Sequence, residues 1–184
     1  GVVRRMDVEA DRVRLHLTTR KGRFNAVVRG FNNQAAPRNL IDALVKVEGA
    51  CTSDLNGRGQ LSGVTLNVPS LAQVSILEAP PADPFTAQTA AINTISVFNP
   101  DRLSGRRIKL AGVVTLLRKG EGFWMQDGTG GIRIHTQQPG TVRPGDQVEV
   151  LGFPAVGEFV PYLEESIWRR TGAGPVPKAE RTTA

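Results

Sequence analysis

Two histidines, one cysteine and a few carboxylates are the residues of this 184-residue chain that could do chemistry. Their spacing argues against it. His16 and His135 lie far apart in the sequence, and no histidine pair has the separation a metal site needs. Cys51 has no neighbouring Cys or His motif, cannot form an intramolecular disulfide, and reads as a buried small hydrophobe. Asp127 precedes Gly128-Thr129-Gly130-Gly131, a position from which a carboxylate opens a hairpin by accepting local backbone amides. Glu164 and Glu165 are adjacent, and adjacent strand residues point to opposite faces, so the two should not share a proton. The chain contains no G-x-S-x-G, no P-loop and no HExxH. These observations predict no catalytic residue, no metal and no cofactor, and they make an enzyme the least expected class.

Binding chemistry is better represented. Phe123 to Gln126 and Ile132 to His135 alternate as two strands joined by the Asp127 hairpin. Phe123, Met125, Ile132 and Ile134 then point inward, and Trp124, Gln126, Arg133 and His135 point outward. A tryptophan on one surface with arginine, histidine and glutamine can stack a base or another planar ligand; the alternative is that Trp124 packs against the linker or the other barrel, away from solvent. A related stretch near the N-terminus offers Arg12, Arg14, His16 and Asn25, without an aromatic partner. The candidate ligand-binding residues are therefore Trp124, Gln126, Arg133 and His135, with Arg14 and His16 in second place. Trp168, followed by Arg169-Arg170, is expected in packing.

The elements that position these residues occur twice. Gly1-Val2-Val3 recurs as Gly112-Val113-Val114, and Ala43 to Gly49 resembles Asp146 to Gly152. The offset is 111 residues at the first landmark (Gly1 to Gly112) and 103 at the second (Gly49 to Gly152), so the first copy has the longer loop. An internal repeat of this kind fixes architecture before any single residue does. Copy two has Arg106 to Ala111 ahead of its Gly-Val-Val and copy one has nothing, so the chain is expected to start inside a strand, as a piece of a longer protein.

In the second copy the strands are read at Arg107 to Arg118 (with Gly112 as a bend or bulge), Phe123 to Asp127, Ile132 to His135, Gln147 to Phe153 and Tyr162 to Arg169. In the first they are Val2 to Asp7, Arg12 to Thr18, Arg23 to Arg29, Leu44 to Thr52 and Val64 to Val68, with a helical turn near Asn39-Leu40-Ile41. Glycines in the 128–131 turn are expected to supply positive φ. Five short strands in this order predict an all-β chain of two tandem OB-fold (Greek-key) barrels joined by a proline-rich linker. The expected divisions are a first barrel over residues 1–78, a linker over 79–104, a second barrel over 105–172 and a flexible tail over 173–184. Within the linker, Ala79 to Pro84 is stiff. Ala90 to Phe98 could form a short helix with Ile92, Ile95 and Phe98 on one side, docking between the barrels, or run as a plain extended linker.

Bulk properties set bounds. The net charge is +6, spread as +4 over residues 1–78, −1 over 79–104 and +3 over 105–184, without a concentrated basic block. With 40% hydrophobic residues the chain can bury a core. No apolar run approaches the ~20 residues of a membrane span.

The ordered set Gly49-Ala50-Cys51, Asn56 to Gly63, Leu66 to Ser70, Pro81-Ala82-Asp83-Pro84-Phe85, Val113-Val114-Thr115, Gln126 to Gly131, Pro144 to Pro154 and Leu163-Glu164 resembles the paired OB-like modules in the extracytoplasmic sensing region of bacterial sensor histidine kinases. The resemblance implies a non-catalytic ligand-sensing or protein-interaction module of a two-component system, on the periplasmic side. Its partner would be an unidentified small ligand or protein, and the module itself would be tethered to the membrane only through segments outside this chain. It carries over no binding residue. The competing expectation is a single-stranded nucleic-acid-binding OB fold acting through Trp124, Arg133 and His135, ranked second because stacking rings are few. A scaffold that spaces neighbouring domains is the third.

Overall fold

The computed structural model describes residues 1–19, 21–30, 40–96, 105–118, 120–157 and 160–178. They divide into two compact units, one holding Gly1–Ala82 and the other holding Arg107 onward together with the segment that begins at Asp83. The fold is all-β, as the alternation predicts.

In the first unit, β1 (Val2–Val8), β2 (Arg12–Thr19) and β3 (Gly22–Arg29) form an antiparallel meander. β4 (Leu44–Val47) joins β1, and β5 (Ala50–Leu55) forms a hairpin with β6 (Leu61–Val68), which runs parallel to β3. β7 (Val74–Glu78) extends the far edge beside β4, giving the order β5-β6-β3-β2-β1-β4-β7. The core is Val3, Val13, Leu15, Ala26, Val28 and their neighbours, one face of each strand. The single strand expected over Leu44 to Thr52 is two strands. The break falls at Glu48-Gly49, where a Cβ on Gly49 would lie 2.5 Å from the Asn67 carbonyl oxygen. The chain turns there from β1 toward β6, so the sheet curls without a continuous fourth strand. Cys51 corrects its expectation: it is exposed, because β5 is the edge strand. Of the helical turn expected near Asn39-Leu40-Ile41, Asn39 lies outside the described residues; Leu40 to Asp42 form a turn, with Ala43 N donating to Leu40 O at 3.0 Å, and Leu40 is buried in this core.

The second unit is a closed barrel. β9 (Ile108–Arg118), β10 (Gly122–Gln126), β11 (Gly131–Ile134), β13 (Pro161–Ala173) and β12 (Asp146–Val156) pair in that circular order, and β12 returns to β9. All contacts are antiparallel except β11 with β13. Phe123, Met125, Ile132 and Ile134 are buried in its core, as their alternation predicts. Trp168 packs on the same core, edge-on to Phe123 at 6.3 Å.

The duplication is visible in the pairing. Gly1 and Val45 exchange backbone hydrogen bonds at 2.8 Å, and Gly112 stands opposite Val148. These partners are displaced by the same 111 and 103 residues that relate the two sequences. Gly112 is not the bulge. A Cβ there would lie 2.4 Å from the Gln126 carbonyl oxygen, so Gly112 permits close approach where β9 passes from β12 to β10. The register slips instead at Thr115, between Trp124 and Met125 of the partner strand.

The segment from Asp83 docks on this barrel. Asp83 caps a short 3-10 turn over Pro84–Thr86, β8 (Thr89–Ala90) adds in parallel to β9, and α1 (Asn93–Ser96) follows. Lys109 Nζ donates to the Phe85 carbonyl at 2.9 Å, and the Arg169 guanidinium lies 4.5 Å from the Phe85 ring centre. Arg169 also bonds Glu149 at 2.7 Å, and these contacts, with Lys109 nearby, hold the Glu149 carboxyl below its ordinary pKa. Ile92 is buried in the barrel core and Ile95 packs on it, so this apolar side serves the second barrel; Phe98 lies outside the described residues.

Asp127 ties that segment to the β10–β11 hairpin. Its carboxylate accepts from Thr129 N, Thr129 Oγ1 and Gly130 N, which closes the turn, and from Ile92 N at 2.9 Å. None of Gly128, Gly130 and Gly131 has positive φ, contrary to expectation; the aspartate side chain shapes this turn in place of glycine. Burial raises the Asp127 pKa, but the bonds from Thr129, Ile92 and Gly130 outweigh it and the net shift is downward. A depressed folded-state pKa stabilises the fold above the unfolded value of 3.8, and that contribution disappears as pH falls through the folded value. Asp127→Ala is therefore expected to cost about 1.5–3 kcal/mol at pH 7. The difference from wild type should shrink in urea denaturation curves taken progressively below pH 4.

Candidate nucleic-acid interface

The β10–β11 hairpin builds the candidate face because its register sets side chains opposite one another. Trp124 stands opposite Arg133 on β11 and opposite Leu116 on β9. Two positions beyond Leu116, at the end of β9, comes Arg118. The guanidinium carbons of Arg133 and Arg118 lie 5.4 and 5.6 Å from the Trp124 ring centre, one approaching from each neighbouring strand. Such cation–π contacts are worth about 0.5–1 kcal/mol at exposed sites, enough to bias the rotamers of both arginines toward the ring.

A cleft of about 600 Å3 opens beside Trp124. Its walls include Arg133 and His135 from β11 and its end, Val160 from the β12–β13 loop, and Pro161 and Tyr162 from β13. Tyr162 reaches it because β13 runs parallel to β11, with Tyr162 opposite Arg133. The His135 backbone is fixed by bonding Leu163 O and Ser166 N. A half-buried indole, a phenol, an imidazole and two guanidiniums thus share one side of the barrel. The rings offer stacking surface and the cations offer anion contacts.

The six residues expected from sequence do not all meet. Trp124, Arg133 and His135 line the cleft, whereas Gln126 is on the same strand but outside its lining. Arg14 and His16 belong to the first unit. His16 is engaged locally: its Nε2 is 2.8 Å from Asp7 Oδ2 and 3.2 Å from Arg5 Nη2. Arg5 and Asp7 are themselves bonded at 2.7 Å. Burial raises the Asp7 pKa, but Arg5 and His16 outweigh it and hold the carboxyl below its ordinary range. Two contributors were missed from sequence. Arg118 could have been found by pairing β9 with β10 through the tight turn between them. Tyr162 had no local signal, since it arrives through a pairing some thirty residues away.

Among the described residues, no group of three or more His, Cys, Asp and Glu could hold a metal ion. No helix among them is long and apolar enough to cross a membrane.

No family model matches the chain. No curated protein matches it. Several solved structures align over nearly its whole length. A murine DNA-binding protein bound to double-stranded DNA aligns at TM-score 0.40 and 12% identity, covering 97% of each chain. The Ifi202 HINa domain in complex with a 20bp double-stranded DNA aligns at TM-score 0.39 and 14% identity, covering 93% of this chain and 94% of that one. A HINb domain aligns at TM-score 0.38 and 12% identity, covering 92% and 94%. Likeness at this level does not transfer function. It does correct the sensor-kinase expectations. The aligned structures are HIN domains and DNA-bound proteins rather than bacterial sensor modules. The sensor-domain and two-component reading, the periplasmic placement and the membrane tether are withdrawn on that finding. So is the ranking of nucleic acid behind a small ligand or protein partner. Of the resemblance, the OB-like barrel stands.

Proposed function

We propose that this chain is a non-catalytic nucleic-acid-binding protein that holds single strands on the β10–β11 face of its second barrel. One observation carries the reading: Trp124, with Arg118 and Arg133 beside its ring, borders a cleft that also contains His135 and Tyr162. Strands two and three of an OB barrel, with the loops beside them, are where such folds take oligonucleotides. Here those strands are β10 and β11, and the flanking loops contribute Glu121 and Val160. A base stacks on Trp124, a second ring contact comes from Tyr162, and the arginines meet the phosphates. A single strand suits this face because its bases are free to stack, at about 1–3 kcal/mol each.

The face has few cations, so its salt dependence should be moderate. With two or three phosphates neutralised, affinity is expected to fall about 7- to 20-fold between roughly 50 and 200 mM salt. Titration of the full chain with ten-nucleotide dT and rU oligomers, read by tryptophan fluorescence, checks this. Quenching that follows the salt trend supports the reading, and no quenching at low salt removes it.

A further inference from the structure

The β9–β10 turn places a carboxylate at the two guanidiniums that the proposed face needs. Glu121 Oε2 lies 3.4 Å from Arg118 Nη1 and 3.6 Å from Arg133 Nη2. The backbone that sets it there is constrained on both sides. Gly120 has φ +81 and Gly122 has φ +104, and a Cβ on Gly122 would fall 1.9 Å from the Ile134 carbonyl oxygen. Glu121 N also donates to Arg118 O at 3.1 Å. The carboxylate is thus held by turn geometry near the edge of the Trp124 face.

Its grip on the arginines is weak. Charge-assisted N–H···O bonds are ordinarily about 2.7–2.9 Å long, and Arg169 meets Glu149 at 2.7 Å in the same barrel. The Glu121 contacts are longer, and the three side chains are 45%, 62% and 39% exposed for Glu121, Arg118 and Arg133. Exposed pairs of this kind contribute little to stability. Both arginines of the face therefore share their charge with a carboxylate that is easily displaced.

We infer that Glu121 is a built-in phosphate surrogate: it occupies Arg118 and Arg133 in the free protein, and a backbone phosphate of the bound strand must displace it. This rests on the nucleic-acid reading above. On binding, one anion replaces another at the two guanidiniums, and the freed carboxylate is left beside a polyanion. Glu121 then limits affinity and selects against strands that present their phosphates poorly to this edge. It is a specificity-determining residue, not a contact that holds the ligand.

The test compares wild type, Glu121→Gln and Glu121→Ala in titrations with a dT oligomer and with a methylphosphonate oligomer of the same sequence, which lacks backbone charge. Both variants should bind the charged strand about three- to tenfold more tightly at roughly 50 mM salt, with the gain shrinking as salt rises. Neither should change binding of the uncharged strand. Unchanged or weaker binding of the charged strand by both variants, or an equal gain for the two oligomers, would overturn the inference. Failure of wild type to bind any oligomer sinks instead the reading beneath it, so the two failures are distinguishable.

Discussion

Trp124→Ala is expected to weaken single-strand binding about 10- to 100-fold, the effect of losing one stacked base. The variant should fold normally, because Trp124 is half-buried on the outer face and the core is filled by Phe123 and Met125 on the alternate positions. The loss has two sources. The indole surface is gone, and Arg118 and Arg133 lose the ring that restrains them. Trp124→Phe should recover part of the affinity, since a smaller ring still stacks. Trp168→Phe is the matching control: that ring packs on Phe123 in the core, so its replacement should cost stability and leave oligonucleotide affinity within about twofold of wild type. It also leaves Trp124 as the sole tryptophan, making fluorescence in that background a direct reporter of the face. Affinities by fluorescence anisotropy of labelled dT oligomers, beside thermal melts, separate the two roles.

The largest stability effect is expected at a glycine two residues earlier. Gly122 opens β10 with φ +104, a conformation L side chains rarely adopt, and the space its side chain would take is already filled by the Ile134 carbonyl. That carbonyl belongs to the paired strand and cannot retreat without breaking the β10–β11 ladder. Gly122→Ala is therefore expected to cost about 3–5 kcal/mol or to prevent the second barrel from folding. Gly120→Ala separates dihedral strain from collision. It too has positive φ, +81, but nothing lies within 4 Å of its added Cβ, so it should cost about 1–2 kcal/mol. Urea denaturation of the two variants side by side is the check. Equal costs would mean that the collision relaxes freely and that the hairpin is less rigid than the site requires.

How much of this could be read from residues alone follows from how local each feature is. Alternation at Phe123 to Gln126 and Ile132 to His135 assigned inner and outer faces correctly, because a tight hairpin leaves little freedom of register. The duplication was legible for the same reason: Gly1 and Gly112 keep equivalent partners in Val45 and Val148. Features that depend on distant chain were not. Tyr162 enters the cleft only through the parallel β11–β13 pairing. Asp127 was legible as a turn former, but its fourth bond runs to Ile92, thirty-five residues away. Cys51 looks like a core residue by type, and its exposure follows from β5 lying at a sheet edge. His16 resembles a ligand-face residue by phase, yet a slip between Val3 and Arg5 brings Arg5 opposite it, and Asp7 completes its contacts. The sensor reading erred differently, because short turn motifs such as Asp127 to Gly131 serve the barrel and carry no information about its partner.

The central claim is that one face of the second barrel receives a single strand. Amide chemical-shift mapping of the full chain with a ten-nucleotide dT oligomer tests it most directly. The account predicts shifts concentrated at Arg118, Glu121, Trp124, Arg133, His135 and Tyr162, with both tryptophan side-chain signals present and only that of Trp124 strongly moved. Saturable binding whose shifts fall on other surfaces and leave Trp124 and Arg133 unmoved would contradict it.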